Sequence, residues 1–446
     1  MMDSKTRRVI AAAACVIVTA ALVLAGKSTF GKRTNAEAEA ARPVPVNLNQ
    51  TLTNEMSDTS SLEGFDRQVK DYLKFWGIHG ASLSVMRNDS LLFAKGYGEA
   101  DTNKEMQPGN ILRMASVSKL VTAVGIMVLQ DNGRLSIKDH VFGPKGILND
   151  SVYNTAIKDT LYYKITVEDL LRHKGGFSRR GGDPMFSTRW IMMQNGWTKA
   201  PSQEQLMELQ LKRRLKFVPG SGQEYSNFGY LALSMVIEKV SGTDYGTFIQ
   251  ENVLHPAGCL DFQIAGNYYE SKRPNETRYY VQHDDEPADE FNNSGRKVTR
   301  CYGGNDVTGL SGAGAWAAST PELALLVASI DGRPEVPDII SRESVDLMTE
   351  YFDENTYALG WNDTKDGYWT RTGTFAGTSA LIKYFPDGEC WIFISNTSTY
   401  KGPGLARHTS SLFDKLKTKY SSKFPSRNMF YPAHQDTSDD KEWFDY

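Results

Sequence analysis

The chain has 446 residues, of which 40% are hydrophobic, 23% charged and 11% aromatic, a globular balance that excludes a disordered, collagen-like or many-spanning membrane protein. At about 150 residues per domain, the length allows roughly three domains or one large layered domain with insertions. Lys and Arg number 50 against 53 Asp and Glu, a net charge of -3 that points away from nucleic acid and toward a small-molecule or peptide substrate.

Residues 1–8 carry Lys5, Arg7 and Arg8, and residues 9–26 follow as small and apolar residues without a charge. That run of about 18 residues sits at the lower limit for crossing a bilayer. Positive charge ahead of an apolar run holds the N-terminus in the cytoplasm and sends the chain beyond the run across the membrane. The sequence therefore predicts a signal peptide or a membrane anchor. The remainder is expected outside the cytoplasm, periplasmic or at the cell surface, with membrane contact only through an uncleaved leader. Cys15 lies inside the apolar run and reads as a small apolar residue of that segment. Residues 27–61 are rich in Ala, Glu, Asn, Ser and Thr without an apolar period, and read as a linker.

A first amphipathic helix is predicted over 61–76, ended by Gly77. Apolar runs at 81–87 and 91–97 flank Asn88-Asp89, a pair suited to a tight turn, and predict a β-hairpin. Helices follow at 116–131, 167–172, 203–215 and 228–240. The segment 265–316, with many tyrosines among polar residues, reads as an insertion packed on the surface. Strands are expected near 357–361, 368–371, 379–385 and 390–395, the last two joined by Pro386-Asp387-Gly388, and a closing helix at 405–416. Residues 421–446 read as a polar acidic tail. The fold class predicted is α/β of the α+β type: one antiparallel sheet built from N- and C-terminal segments, flanked by helices, with a mainly helical region inserted. The globular domain would span 62–420.

Cys259, Cys301 and Cys390 are widely spaced, which argues against a zinc site; a Cys259–Cys301 disulfide and buried thiols both remain open. The run His283-Asp284-Asp285-Glu286 reads as a solvated charge cluster.

Ser-x-x-Lys occurs at Ser116, Ser294, Ser398 and Ser438, and only Ser116 opens an apolar-periodic helix. A serine and a lysine three residues apart share a helical face, so the amine of Lys119 can reach the Ser116 hydroxyl. The helix N-terminus supplies backbone N–H groups that favour developing negative charge. A serine becomes a nucleophile when a base takes its proton, and a lysine serves only where its surroundings keep it partly neutral. Tyr225 and Asn227, two residues apart in a turn before the next helix, can point back into the same cleft. Arg371-Thr372-Gly373, followed by Thr374, offers a cation in a strand beside a glycine that lets backbone approach closely.

In order and context, these segments resemble the serine β-lactamase and penicillin-binding protein family, in its class C β-lactamase and D,D-peptidase branch with related esterases. The resemblance extends over about 62–416 and includes Gly133-Arg134-Leu135, Thr166-Val167-Glu168-Asp169-Leu170-Leu171-Arg172-His173, Pro219-Gly220 and Tyr225-Ser226-Asn227. It implies that Ser116 is acylated, Lys119 helps deprotonate it, Tyr225 relays protons, and Asn227 orients Lys119 and the substrate amide. It also implies an oxyanion hole from the N–H groups of Ser116 and Thr374. Arg371 stands where the family has Lys or His. It keeps the charge in a forked geometry that suits a substrate carboxylate. Lys174-Gly175-Gly176 replaces the more usual Thr-Ser-Gly, and His173 reads as a structural helix-end residue.

The function expected is an exported serine hydrolase that opens an amide, ester or lactam through an acyl-serine, without cofactor or metal. D-amino-acid peptides and β-lactams are the substrates in view. The alternatives are an esterase of the same family and a catalytically idle protein that binds penicillin or cell-wall fragments.

Overall fold

The computed structural model describes residues 46–180, 182–282, 287–354 and 356–431. The expected leader, the first part of the expected linker, the His283-Asp284-Asp285-Glu286 run and residues 432–446 lie outside the described residues. Among the described residues, no helix is long and apolar enough to cross a membrane.

Six antiparallel strands form the main sheet: β1 (Gly80–Arg87), β2 (Ser90–Asp101), β3 (Lys104–Glu105), β4 (Trp369–Phe375), β5 (Thr378–Tyr384) and β6 (Glu389–Ser395). Their spatial order is β4-β5-β6-β1-β2-β3, so β1 and β6 pair across the join between the two ends of the chain. The antiparallel sheet expected from N- and C-terminal segments is present. β1 shows why both its faces read as apolar or small. Leu83 and Val85 face an aromatic core formed with α1 (Glu63–Trp76) and the C-terminal helix Leu405–Tyr420, where Phe65 meets Phe93 edge-on at 5.1 Å. On the other face, the Ser82 and Ser84 hydroxyls each meet Thr320 Oγ1 at 2.8 Å, at the start of the helix Thr320–Ala328.

The inserted region contains α2 (Ser118–Asp131) and α3 (Asn227–Ser241), both buried along most of their length. Residues 357–361 do not form the expected strand. Gly360 adopts φ +85, and a Cβ there would lie 2.8 Å from Ala123 of α2, so the run turns to pack on a helix.

The linker and tail boundaries also shift. Within 46–61 the polar residues substitute for a missing neighbour strand along β2. Ser57 Oγ donates to Ala94 O at 2.8 Å, and Asn54 Oδ1 accepts from Gly96 N–H at 2.8 Å, while Leu48 and Leu52 are buried. After the last helix, Phe424, Met429 and Phe430 are buried, and Met429 N–H bonds to Leu91 O at 2.9 Å. The packed body therefore extends beyond 62–420 at both ends. Cys259, Cys301 and Cys390 are all buried as thiols, so the suggested Cys259–Cys301 disulfide is not formed.

The β1–β2 turn is the tight one expected, with Asn88 and Asp89 at φ 45 and 56. Asp89 is buried against Asp331, whose Oδ2 accepts from Tyr384 OH at 2.8 Å. Burial, then the neighbouring Asp331 charge, pushes Asp89 up from 3.8 to about 8. The folded state thus retains a proton that the unfolded chain releases near pH 4. The stability it contributes is complete below that value and is lost as pH rises toward 8. Urea midpoints of the protein and of Asp331→Asn, measured from pH 5 to 9, are expected to converge or cross as the wild type weakens; parallel curves would contradict the part assigned to the Asp331 charge in holding the Asp89 proton.

Candidate active site

The turn that presents Ser116 is built by Ala115, which adopts φ 48, a conformation that costs a non-glycine residue on the order of 1–3 kcal/mol. Met114 N–H holds it by bonding to Trp316 O at 3.0 Å, and Val117 N–H closes it onto Met114 O at 3.1 Å. Ser116 therefore lies in a 3₁₀ turn at 115–117, immediately before α2 rather than inside it. Arg113 anchors the same stretch from behind, donating to Cys301 O at 2.7 Å and Gly266 O at 2.8 Å. This contact is where the tyrosine-rich insertion docks.

Lys119, in the first turn of α2, is fully buried. Its ammonium donates to Ser116 Oγ at 3.2 Å, to Asn227 Oδ1 at 2.7 Å and to Ala313 O. Tyr225 OH donates to Ser116 Oγ at 2.7 Å. Ser116, Lys119, Tyr225 and Asn227, named from the sequence, thus come together, Lys119 and Tyr225 on the serine oxygen and Asn227 on the lysine. Burial pushes Lys119 below its ordinary value, helped by Arg371 and opposed by Tyr225 and Asp183. For Tyr225, burial pushes upward, but the charges of Lys119 and Arg371 outweigh it and leave the phenol below its usual range.

β4 forms the opposite wall. As the edge strand, it turns alternate N–H groups away from the sheet. Thr370 N–H reaches Asp363 O at 2.9 Å, Thr372 N–H reaches Asn362 Oδ1 at 2.7 Å, and the same period directs the N–H of Thr374 outward. The Thr372 hydroxyl is turned to Asn362 as well. Gly373 brings β4 against the nucleophile turn: a Cβ there would stand 2.2 Å from Met114 O and 3.0 Å from Ser116 N.

Arg371 departs from its expected role. It is 1% exposed, and its Nε and Nη2 donate to the backbone carbonyl of Ser116 at 2.8 and 2.6 Å. The fork that would grip a substrate carboxylate is occupied by the protein itself. The guanidinium is a structural clasp and a source of positive potential beneath Lys119 and Tyr225.

Two more residues support the site: Asp183, which escaped sequence reasoning, and His173, read from the sequence as structural. Asp183 Oδ2 accepts from Asn227 Nδ2 at 2.7 Å, which fixes the amide with its oxygen toward Lys119. His173 Nδ1 accepts the Ser226 N–H at 3.1 Å, while its ring packs 4.3 Å from that of Tyr225. Burial, with Lys119 and Arg371 nearby, holds this imidazole well below its ordinary range, so it stays neutral with its proton on Nε2. The Asp-Pro pair at 183–184 marks a turn in sequence, but nothing there ties it to Asn227. A cleft of ≈ 680 Å³ opens beside Tyr225, lined also by Tyr357, Asn362, Asp363 and Lys365.

The family profile described as Beta-lactamase matches residues 65–412. The chain belongs to the β-lactamase family of serine hydrolases. Among curated relatives, penicillin-binding protein 4* of Bacillus subtilis (strain 168) is 27% identical over 171 residues, 38% of this chain and 34% of that protein. The match therefore spans about a third of that relative's length. A protein of Escherichia coli O157:H7, provisionally named a D-alanyl-D-alanine carboxypeptidase, is 25% identical over 337 residues, 68% of this chain and 72% of its own. Among solved structures, D-amino acid amidase from Ochrobactrum anthropi SV3, complexed with L-phenylalanine amide, superposes with a TM-score of 0.62 at 16% identity, covering 82% of this chain and 99% of that one. That likeness establishes the β-lactamase fold.

Gly373→Ala is expected to lower stability by about 1–3 kcal/mol through overpacking, read as a shifted urea midpoint, and to slow any reaction at Ser116. A variant with unchanged stability and reactivity would show that β4 does not need to approach the turn so closely.

Proposed function

We propose that the protein is an exported acyl-transfer hydrolase whose nucleophile is Ser116 and whose substrates are amides or peptides of the D-amino-acid type. The observation that carries this reading is the convergence of Lys119 and Tyr225 on Ser116 Oγ at 3.2 and 2.7 Å. In the first half-reaction, the Lys119–Tyr225 pair, acting with one of its two groups deprotonated, takes the Ser116 proton as Oγ bonds to the carbonyl carbon. The resulting oxyanion lies between the N–H groups of Ser116 and Thr374, each donor worth a few kcal/mol, ~3 by comparison with other acyl-transfer sites. Tyr225 then hands the proton to the leaving nitrogen as the carbon–nitrogen bond breaks. In the second half, water gives its proton to the same pair, adds to the acyl carbon and releases the acid with Ser116 restored. Lowered values at both Lys119 and Tyr225 support such an exchange near neutral pH.

The substrate class is supported by the names of the carboxypeptidase relative and the amidase fold neighbour. The basic and apolar leader at residues 1–26 supports action outside the cytoplasm. An idle binding protein has less support, because the serine keeps both of its hydrogen-bond partners.

Intact-mass spectrometry after incubation with a fluorophosphonate is expected to show one adduct on the wild type and none on Ser116→Ala. Labelling of Lys119→Ala should slow by about 100-fold or more. An adduct that persists in Ser116→Ala would overturn the assignment.

A further inference from the structure

Resting on the reading of Ser116 as the acylated residue, a preference in substrate charge emerges from the contacts around Asn227. Each of the two buried cations at the site is committed to this chain: Lys119 to Ser116, Asn227 and Ala313, and Arg371 to the Ser116 carbonyl. The side chain that faces Asn227 from the other direction is a carboxylate. Asp183 Oδ2 takes the Asn227 Nδ2 proton at 2.7 Å, and Oδ1 takes the Met185 N–H at 3.0 Å, capping the short turn Pro184–Phe186. Asp183 is only half-buried, and each carboxylate oxygen retains a second lone pair. The group is thus held by two donors while still able to accept a third.

The chain of contacts Ser116–Lys119–Asn227–Asp183 places this carboxylate just beyond the amide, three contacts from the nucleophile. For a group on the α-carbon of an acyl-Ser116 to meet Asp183, that group has to lie on the Asn227 side of the reacting carbonyl, since Asn227 is what joins the two. The α-amine is joined to the carbon beside the reacting carbonyl, so it is the substituent best placed to reach Asp183. The adjoining cleft has the same sign of charge: Asp353, Glu354 and Asp363 stand against Lys365, which pairs with Glu354 at 3.1 Å.

We propose that Asp183 is the specificity-determining residue of this site and receives the ammonium group of acyl donors with a free α-amine. The preferred substrates are then amides, esters or peptides in which an unblocked N-terminal amino acid supplies the acyl group. N-acylated peptides, selected elsewhere by a terminal carboxylate, are disfavoured. A charge-assisted hydrogen bond of this kind corresponds to about a ten- to hundredfold preference.

The test compares D-alanine 4-nitroanilide with its N-acetylated form on the full chain, with Ser116→Ala as the control and 4-nitrophenyl acetate as a neutral ester. The ratio of kcat/KM for the free over the acetylated anilide is expected to be about ten or more in the wild type. It should fall toward one in Asp183→Asn, which keeps the shape and one of the two acceptor oxygens but removes the charge, and recover in part in Asp183→Glu. Because Asp183 also holds Asn227, a purely positional role would lower both anilides together and leave the ratio unchanged, which would overturn the proposal. A wild type that favours the acetylated anilide would overturn it too. Ser116-dependent ester hydrolysis without an amine preference would sink the ammonium assignment and leave the acyl-transfer reading standing; ester hydrolysis undiminished in Ser116→Ala would remove both.

Discussion

A single buried ammonium group holds the centre of this molecule together. Removing a lysine charge from water is costly, several kcal/mol even after relaxation, and the charge is tolerated only where oxygens surround it. Lys119 finds them on Ser116, on Asn227, 108 residues further along, and on the carbonyl of Ala313, 194 residues away. The need to solvate this cation therefore fixes the spacing between α2, α3 and the loop ahead of Trp316. Arg371 adds the fourth segment by clasping the carbonyl of Ser116 from a strand 255 residues away. The two cations repel each other, and that repulsion adds to burial in weakening the hold of Lys119 on its proton. Stability and reactivity thus meet at one group: the packing that buries Lys119 among these oxygens also lowers its pKa, so that the amine is more readily neutral and open to a proton.

The sheet contributes through its free edge. β4 has β5 on one side only, so every second N–H is available to groups outside the sheet. Asp363 and Asn362 take the N–H groups of Thr370 and Thr372, leaving that of Thr374 as the next donor in the same row. Gly373 allows this row to stand against Ser116. On the proposed reading, an antiparallel edge and a strained turn at Ala115 supply the two backbone donors, without either element carrying a recognisable chemical group.

Much of this was legible in the sequence, for identifiable reasons. The Ser116–Lys119 spacing on a helix start and the Tyr225–Asn227 pair before the next helix are local patterns, and the strands at both ends of the chain announce the sheet. Depth was not legible. Arg371 reads as a cation offered to a substrate, whereas burial turns its fork inward onto a backbone carbonyl. Asp183 lies 44 residues before its partner Asn227, in a glycine-rich turn whose composition says nothing about which side chain it will meet. Asn54 and Ser57 look like linker residues because polar side chains that cap a strand edge have no apolar period. The run at 357–361 was apolar enough for a strand, but Gly360 bends it against α2, a tertiary contact that local propensity does not encode.

The most direct test of the account is a crystal structure of the fluorophosphonate adduct. The phosphorus should be bonded to Ser116 Oγ, with its oxygen within about 3 Å of the N–H groups of both Ser116 and Thr374, and Lys119 still bound to Asn227. A phosphonyl oxygen turned to solvent, or an adduct on a residue other than Ser116, would contradict the geometry on which the mechanism rests.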